Sequence, residues 1–306
     1  MWHIIINPAA GNGKAGRFLP SIENAFAKAQ LPYTILQSKR PWHCAILAKE
    51  AIEKVARKII AVGGDGTGHE VVNGIFSQNK VSTKEISFAV IPVGTGNDWI
   101  KNYQLPKKLE AIIPLLKAEK HLFQDIGLVY FNNEKGEQQQ RYFVNVAGMA
   151  YDAHVAKASE NISSRYFSKL YYYFLIFKCL FSYTIKSARL TLDEKKIIEK
   201  KFYAINVGLC RYSGSGMQFT PHALPNDGLF AVTTIDSMKK IEVMLSTHYL
   251  YGNIAKHPKG ELFKAKSVTV ESMDEGDTLL ELDGEFVGCS PMRFELIEKG
   301  LKVIIP

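Results

Sequence analysis

The chain has 306 residues, 46% of them hydrophobic and 22% charged, with a net charge of +8. That is enough chain for two domains with sizeable cores, and the composition is that of an ordinary soluble globular protein. A transmembrane protein is excluded, because the most apolar segment, Leu170 to Phe177, is followed by Lys178 and is too short to span a bilayer.

The positive balance favours an anionic partner. Nucleotide and membrane surface are retained as expectations, and nucleic acid is not. Cys44, Cys179, Cys210 and Cys289 are scattered, with no CxxC or Cys/His metal spacing, which fits a reducing cytoplasm. The N-terminus already reads as a strand and shows no signal peptide.

Trp2 to Ile6 predicts a strand and Asn7 to Lys14 a loop. Ile22, Ala25, Phe26 and Ala29 give helical spacing over Ser21 to Ala29. Tyr33 to Leu36 is a strand, Trp42 to Val55 a helix and Lys58 to Val62 a strand. Gly63 to Thr67 forms a glycine turn, and helix begins at Gly68 with Val71, Val72 and Ile75 on one side. Ile86 to Ile91 is a fourth strand. This alternation predicts a parallel, doubly wound α/β sheet whose ligands bind at the C-terminal strand ends.

After about residue 120 strands follow one another: Gly127 to Phe131, Arg141 to Ala147, Ala188 to Leu192, Lys201 to Gly208, Leu229 to Ile235, Ser267 to Glu271, Thr278 to Leu282 and Arg293 to Ile297. Helical insertions are expected at Ser163 to Ser182 and Lys239 to Tyr251. The predicted architecture is an α/β domain over 1–124, with 298–306 returning to it, and an antiparallel β-rich domain over 125–297, a sandwich or partial barrel.

Three glycine loops follow strands of the first domain. Gly63-Gly64-Asp65-Gly66-Thr67 can cradle a phosphate with backbone N–H groups at a helix N-terminus. A carboxylate there repels phosphate unless a cation intervenes, so Asp65 suggests a divalent metal. The plain alternative is a turn whose glycines supply positive φ. Gly11-x-Gly13-x-x-Gly16 is a weak dinucleotide pattern, and no acid follows the second strand at Gln37 to Arg40 to hold a ribose. Lys14 is followed by Ala15, so no P-loop forms, but Lys14 can serve as a phosphate counter-charge. Gly94-Thr95-Gly96-Asn97-Asp98 offers donors and a second carboxylate, while Asn97 and Asp98 are also good helix caps.

Asn7-Pro8-x-x-Gly11, Gly63-Gly64-Asp65-Gly66-Thr67 and Pro92-x-Gly94-Thr95-x-Asn97-Asp98 resemble, in order, the diacylglycerol kinase catalytic-domain family of soluble bacterial lipid kinases, sphingosine kinases and ceramide kinases. The likeness continues through Phe143-Val-Asn145-Val-Ala-Gly148-x-x-Asp152-Ala153, Tyr212 to Met217, Pro221 to Leu229 and Asp283-Gly284-Glu285. Gly-Gly-Asp-Gly-Thr is shared with NAD kinases and phosphofructokinases; the later motifs narrow the resemblance to lipid kinases.

The resemblance implies an ATP- and Mg²⁺-dependent transfer of the γ-phosphoryl to a lipid hydroxyl, such as that of diacylglycerol, in phospholipid biosynthesis. It makes Glu285 the general base and Asp65 the residue acting with Mg²⁺. Nucleotide would be held by Asn7, Pro8, Ala9, Ala10, Gly11, Lys14, Ser38, Gly64, Asp65, Gly66, Thr67, Gly68, His69, Glu70, Gly94, Thr95 and Asn97. A structural Mg²⁺ would lie at Leu224, Asp227 and Leu229, although Asn226 stands where many members have an acid. Asp98 and Asp125 would belong to a metal network; the plain alternative for Asp125 is a surface acid. Read without the resemblance, Asp283-Gly284 is a hairpin turn.

The aromatic segment Ser163 to Tyr183 reads either as a membrane-touching helix or as a core helix, and the core reading is preferred. The expected protein is cytoplasmic, peripheral to the membrane, and able to pair as a homodimer through a sheet edge. An NAD kinase-like enzyme, a nicotinamide-dependent oxidoreductase and a catalytically silent lipid- or nucleotide-binding protein are the alternatives.

Overall fold

A computed structural model of the chain describes residues 1–94, 96–159, 169–252 and 254–306. The chain divides into two compact units, 1–126 with 298–306, and 127–297.

In the first unit β1 (Trp2–Ile6), α1 (Ala10–Lys28), β2 (Tyr33–Gln37), α2 (His43–Lys54), β3 (Lys58–Gly63), α3 (Asp65–Phe76), β4 (Ser87–Pro92), α4 (Asp98–Lys101) and α5 (Leu109–Ala118) follow in order. β1 pairs in parallel with β2 and β3, and β3 with β4. Lys302 and Val303 pair in parallel with β4 on its other edge. The order β2-β1-β3-β4 reverses its direction of growth between β1 and β3. A crevice at the C-terminal ends of such strands is where open α/β sheets bind ligands. One face of the sheet buries Ile4, Ile6, Ile60, Val62, Ala89 and Ile91 against Ile22 and Phe26 of α1 and Ile112 and Leu116 of α5. α2 and α3 pack on one another.

Two helix starts differ from expectation. Gly11, Asn12 and Gly13 have φ of 60°, 58° and 78°, so regular α1 begins at Lys14 and continues through Pro20. A proline in sequence reads as a helix start. Here the buried stripe Ala15, Ile22 and Phe26 holds the earlier turn in place despite the lost hydrogen bond. α3 begins at Asp65 rather than Gly68, with Gly64 extended at its N-cap (φ −95°). The Gly-Gly-Asp-Gly-Thr stretch is therefore largely the first turn of a helix, and Gly63 and Gly64 are not left-handed. Gly63 answers instead to close approach: a Cβ there would lie 2.2 Å from Thr67 Oγ1.

The second unit contains most of β5 (His121–Asn132), then β6 (Gln138–Phe143), β7 (Val146–Ala150), α6 (Tyr151–Ser159), α7 (Lys169–Ser182), β8 (Lys186–Leu192), β9 (Lys196–Gly208), β10 (Phe230–Asp236), α8 (Lys240–Ser246), β11 (Gly260–Ala265), β12 (Ser267–Ser272), β13 (Leu279–Leu282) and β14 (Glu285–Ile304), whose last residues belong to the first unit. Six strands close on themselves: β7 pairs β9, β9 pairs β8, β8 pairs β12, β12 pairs β14, β14 pairs β13 and β13 pairs β7, all antiparallel. The ring is a closed barrel, which removes open edges. β10 and β11 extend it from β9. Phe143, Phe230 and Phe294 fill its core with ring centroids 6.0–6.5 Å apart.

The expected strand Arg141 to Ala147 is two strands, because the N–H groups of residues 144–146 turn toward a carboxylate. β11 and α6 were not expected; each has only a short or irregular apolar pattern. In α7 the described part of the aromatic segment has a side that packs in the core, as the preferred reading expects, and an exposed side. Leu175, Cys179 and Leu180 are buried, whereas Phe177 and Phe181 are exposed. Residues 163–168 of that segment lie outside the described residues.

Gly74 of α3 faces α2 so closely that a Cβ would lie 2.3 Å from Ala45 O and 2.8 Å from Ala48 Cβ. Gly74→Ala gains about 1 kcal/mol of helix propensity but must push two helix backbones apart, at a cost of about 1–3 kcal/mol. The expected result is a lowered Tm in thermal unfolding, with a raised Tm counting against this packing.

Candidate functional site

The first constellation lies in the first unit. The Gly63 carbonyl accepts the Val93 N–H at 2.8 Å, and Asn7 N–H donates to Val62 O at 3.2 Å. These bonds bind the loops after β1, β3 and β4 to one another. A Cβ on Gly94 would lie 3.2 Å from Gly64 Cα, and one on Gly11 would lie 3.2 Å from Val93 O. The glycines are close because backbones touch there.

Asp65 spans two of these loops. Its Oδ2 accepts the Asp98 N–H at 2.9 Å and its Oδ1 the Trp99 N–H at 3.1 Å. It therefore satisfies the first orphan donors of α4 from another helix, a capping role worth about 1 kcal/mol. Asn97, at the N-cap position of α4 with φ 49°, makes no cap bond; its Nδ2 donates to Gly94 O at 3.1 Å. Asp98 is buried and paired with Lys101. A Cβ on Gly96 would lie 3.4 Å from Asp65 Oδ2 and 3.9 Å from Asp98 Oδ2, so two acidic oxygens face the same small space.

The remaining expected residues fall at several distances from this centre. Asn7 Oδ1 accepts the Ala9 N–H at 3.1 Å, and Pro8 O accepts the Gly16 N–H at 3.2 Å. Ala10 and Gly11 lie in the same loop, and Lys14 is exposed just beyond its left-handed run. Ser38 N–H donates to Ile6 O at 2.9 Å, one strand away. Gly66 and Gly68 belong to α3, and Gly68 N–H donates to Gly64 O. Thr67 is buried over Gly63. His69 is buried with its ring 5.7 Å from that of Trp42, and Glu70 accepts the Cys44 N–H at 3.0 Å. These two side chains join α3 to the start of α2. Thr95 lies outside the described residues. Asp125 is fully buried rather than a surface acid, and its Oδ1 accepts the Lys299 N–H at 2.6 Å, tying down the returning C-terminal strand.

The second constellation lies in the second unit. Asp283 and Gly284 have φ of 52° and 93°, and Leu282 pairs with Glu285. This two-residue hairpin loop, left-handed at both positions, presents Glu285 just past the turn. Asp283 accepts N–H bonds from Val144 (3.0 Å), Asn145 (2.9 Å) and Val146 (3.2 Å). Asn145 in turn donates to Tyr212 O at 2.6 Å. Arg141 interacts electrostatically with Glu285, and burial draws the Arg141 pKa down.

Sequence reasoning missed what lies beneath the turn. Glu281 is buried and accepts the Gly284 N–H at 2.7 Å. Burial holds its pKa well above the usual carboxylate range. Gly148 is close enough that a Cβ would lie 2.3 Å from Glu281 Oε1 and 3.0 Å from Asp152 Cβ. Burial pushes Asp152 up to about 6, opposed by the Asn206 amide, which donates to it at 2.7 Å. Alternation in β13 carries no signal for this: Leu280 and Leu282 face the barrel core, and Glu281 falls on the opposite face, where a polar residue is ordinary. A cavity of about 480 Å³ in this unit has a mixed lining, with Phe202, Ile205, Leu279 and Phe286 beside Glu134, His154, Lys157, Lys186 and Asp277.

Among the described residues no group of three or more His, Cys, Asp or Glu side chains is placed to hold a metal. The Asp227 carboxylate is already paired with the Lys264 ammonium and accepts the Leu229 N–H at 3.2 Å, and Leu224 is exposed. One neutralised carboxylate does not fit a dedicated divalent site. Asp65 and Asp98 fit better, because Mg²⁺ on a phosphate chain needs only one or two carboxylates. All four cysteines are free and buried. No helix among the described residues is long and apolar enough to cross a membrane.

A family model described as "Diacylglycerol kinase catalytic domain" matches residues 1–129, and one described as "YegS C-terminal NAD kinase beta sandwich-like domain" matches residues 145–305. The chain is 30% identical to "Putative lipid kinase YtlR" of Bacillus subtilis (strain 168), over 99% of this chain and 98% of that protein. It is 26% identical to "Diacylglycerol kinase" of Staphylococcus carnosus (strain TM300), over 99% and 94%. A crystal structure titled as a "putative diacylglycerol kinase" from Bacillus anthracis str. Sterne matches with a TM-score of 0.77 at 24% identity, over 100% and 95% of the two chains.

Because burial pushes the Asp152 carboxyl from its ordinary 3.8 up to about 6, the folded state binds more protons than the unfolded state between those values. Stability is then lost as pH rises through that window. Asp152→Asn keeps an acceptor for Asn206 and removes this slope. The Tm of the variant relative to wild type is expected to increase from pH 4 to pH 8 in parallel thermal scans; a constant difference would count against a raised pKa at Asp152.

Proposed function

The chain belongs to the diacylglycerol kinase catalytic-domain family, and on that premise we propose that it transfers the γ-phosphoryl group of ATP to the hydroxyl of diacylglycerol or a related lipid. The observation that carries the reading is the meeting of three glycine loops around Asp65 at the C-terminal ends of β1, β3 and β4. Backbone there is close-packed, short of side chains, and set beside the N-terminus of α3, features that suit a phosphate chain.

The N-terminal unit would hold the nucleotide, with Lys14 as a counter-charge and backbone N–H groups as phosphate donors. Mg²⁺, when bound, neutralises phosphate charge, and Asp65 and Asp98 would hold it through lone pairs left over from their N–H and lysine contacts. Glu285 would accept the proton of the lipid hydroxyl as it attacks. Asp283 and Glu281 would hold the turn that carries Glu285. The cavity beside Phe286 has a mixed lining, in which Phe202, Ile205 and Leu279 would meet the hydrocarbon of such an acceptor and Lys157, Lys186 and Asp277 its polar end. Activity at a membrane surface, in phospholipid metabolism, follows from the insolubility of the acceptor.

Asp65→Asn keeps the shape and one accepting oxygen but loses the charge, and its amide nitrogen cannot accept the second of the two backbone N–H groups. Turnover with ATP, Mg²⁺ and a short-chain diacylglycerol is expected to fall by about two orders of magnitude or more, while the protein stays folded with a Tm lowered by the loss of one of the two acceptors, a cost of about 1–3 kcal/mol. Asp65→Ala should lose activity as well and lower the Tm, because the N–H groups of Asp98 and Trp99 lose their acceptor. Near-normal turnover in Asp65→Asn would sink the metal role.

Glu285→Gln is expected to lower kcat by about two orders of magnitude or more, with ATP affinity by calorimetry little changed. A loss confined to nucleotide binding would mean that Glu285 is not the base.

A further inference from the structure

Two helices of the second unit leave apolar stripes on one surface. In α7 the buried side is Leu175, Cys179 and Leu180, packed in a cluster with Tyr203 and Met238. Phe177 and Phe181, one turn apart, lie on the other side, 45% and 55% exposed, with their rings 5.1 Å apart. In α8, Ile241, Met244 and Leu245 repeat at helical spacing and are 59%, 40% and 71% exposed. Lys240 joins the stripes: its Nζ donates to Phe181 O at 2.6 Å and stands 5.6 Å from the Phe181 ring. Five large apolar side chains are thus gathered where a soluble surface normally scatters them.

The charges around the patch are mostly positive. Lys178, Lys239 and Lys240 are exposed on it. The acid of α8, Glu242, is half-buried, with its Oε2 engaged by Lys259 at 2.9 Å and by the Lys239 N–H at 2.7 Å. A second copy of this chain would set like charges against one another across a two-fold axis. An anionic bilayer offers acyl chains to the apolar residues and headgroup charge to the lysines, as an interfacial helix requires. The net charge of +8 acts in the same direction.

We propose that the exposed face of α7 and α8 is the membrane-docking surface of this protein, with Phe177, Phe181, Ile241, Met244 and Leu245 entering the headgroup–acyl boundary of an anionic bilayer. The inference rests on the lipid-kinase reading for its purpose, but not for its measurement. It assigns the membrane contact to two helices outside the Asp283–Glu285 turn.

The test is co-sedimentation of the full chain with phosphatidylcholine vesicles, with and without phosphatidylglycerol, for wild type, for Phe177→Ser combined with Leu245→Ser, and for Lys178→Glu. Circular dichroism and phosphorylation of a water-soluble short-chain diacylglycerol serve as controls for folding and for the active site. Wild type should bind the anionic vesicles at least about ten-fold more tightly than the neutral ones. The double variant should lose about ten-fold or more, and Lys178→Glu should lose affinity for the anionic vesicles alone. Unchanged vesicle binding in the folded double variant overturns the proposal. So does a change from dimer to monomer in analytical ultracentrifugation with vesicle binding unaffected, which would assign the face to a second copy. Patch-dependent vesicle binding by a protein that phosphorylates no lipid would leave the docking surface standing and remove the kinase reading.

Discussion

The first unit depends on a carboxylate held between two helices. Asp65 opens α3, and its two oxygens receive the first N–H groups of α4. Without an acceptor those donors would point from a helix of only four residues, too short to nucleate on its own. Asp65 therefore fixes where the β4 loop ends and brings Asp98 to the space above Gly96. The glycines follow from the same constraint. With the loops bonded backbone to backbone, side chains on Gly63 or Gly94 would collide with Thr67 and Asn97.

The second unit uses the same device at a different place. Asp283 gathers three successive N–H groups from the segment between β6 and β7, and Glu281 takes the Gly284 N–H from below. Each of these bonds satisfies a backbone N–H that would otherwise lack an acceptor, and together they hold a left-handed two-residue turn in one position. The cost is burial of acids near one another, which appears as raised pKa values at Glu281 and Asp152. Natural folds tolerate such a cost where geometry at a site has to be exact to within fractions of an ångström.

Charge and apolar surface are also divided between roles. Lys264 neutralises Asp227, so a place with the outline of a metal site is held together by an ion pair. Lys240 lies against Phe181 and joins two helices whose outer faces are apolar. Acids that bind backbone and lysines that border apolar surface are both side chains read too simply when each is taken alone.

Much was legible in the amino-acid sequence. The β-α alternation, the glycine loops at strand ends and the run of later strands are short-range patterns, and periodicity and turn chemistry report them directly. The Asp-Gly turn before Glu285 is likewise local. What the tertiary structure alone decided lies in contacts between distant residues. Asp65 meets donors 33 and 34 residues away, and Asp283 meets donors 137 to 139 residues away. Barrel closure joins β7 to β13, and the exposure of Phe177 beside buried Leu175 depends on what packs against α7. Side-chain type and spacing determine which groups a chain carries and the local form that they take. Which partner each group finds is settled only by packing, because a hydrogen bond is made in space and not along the chain.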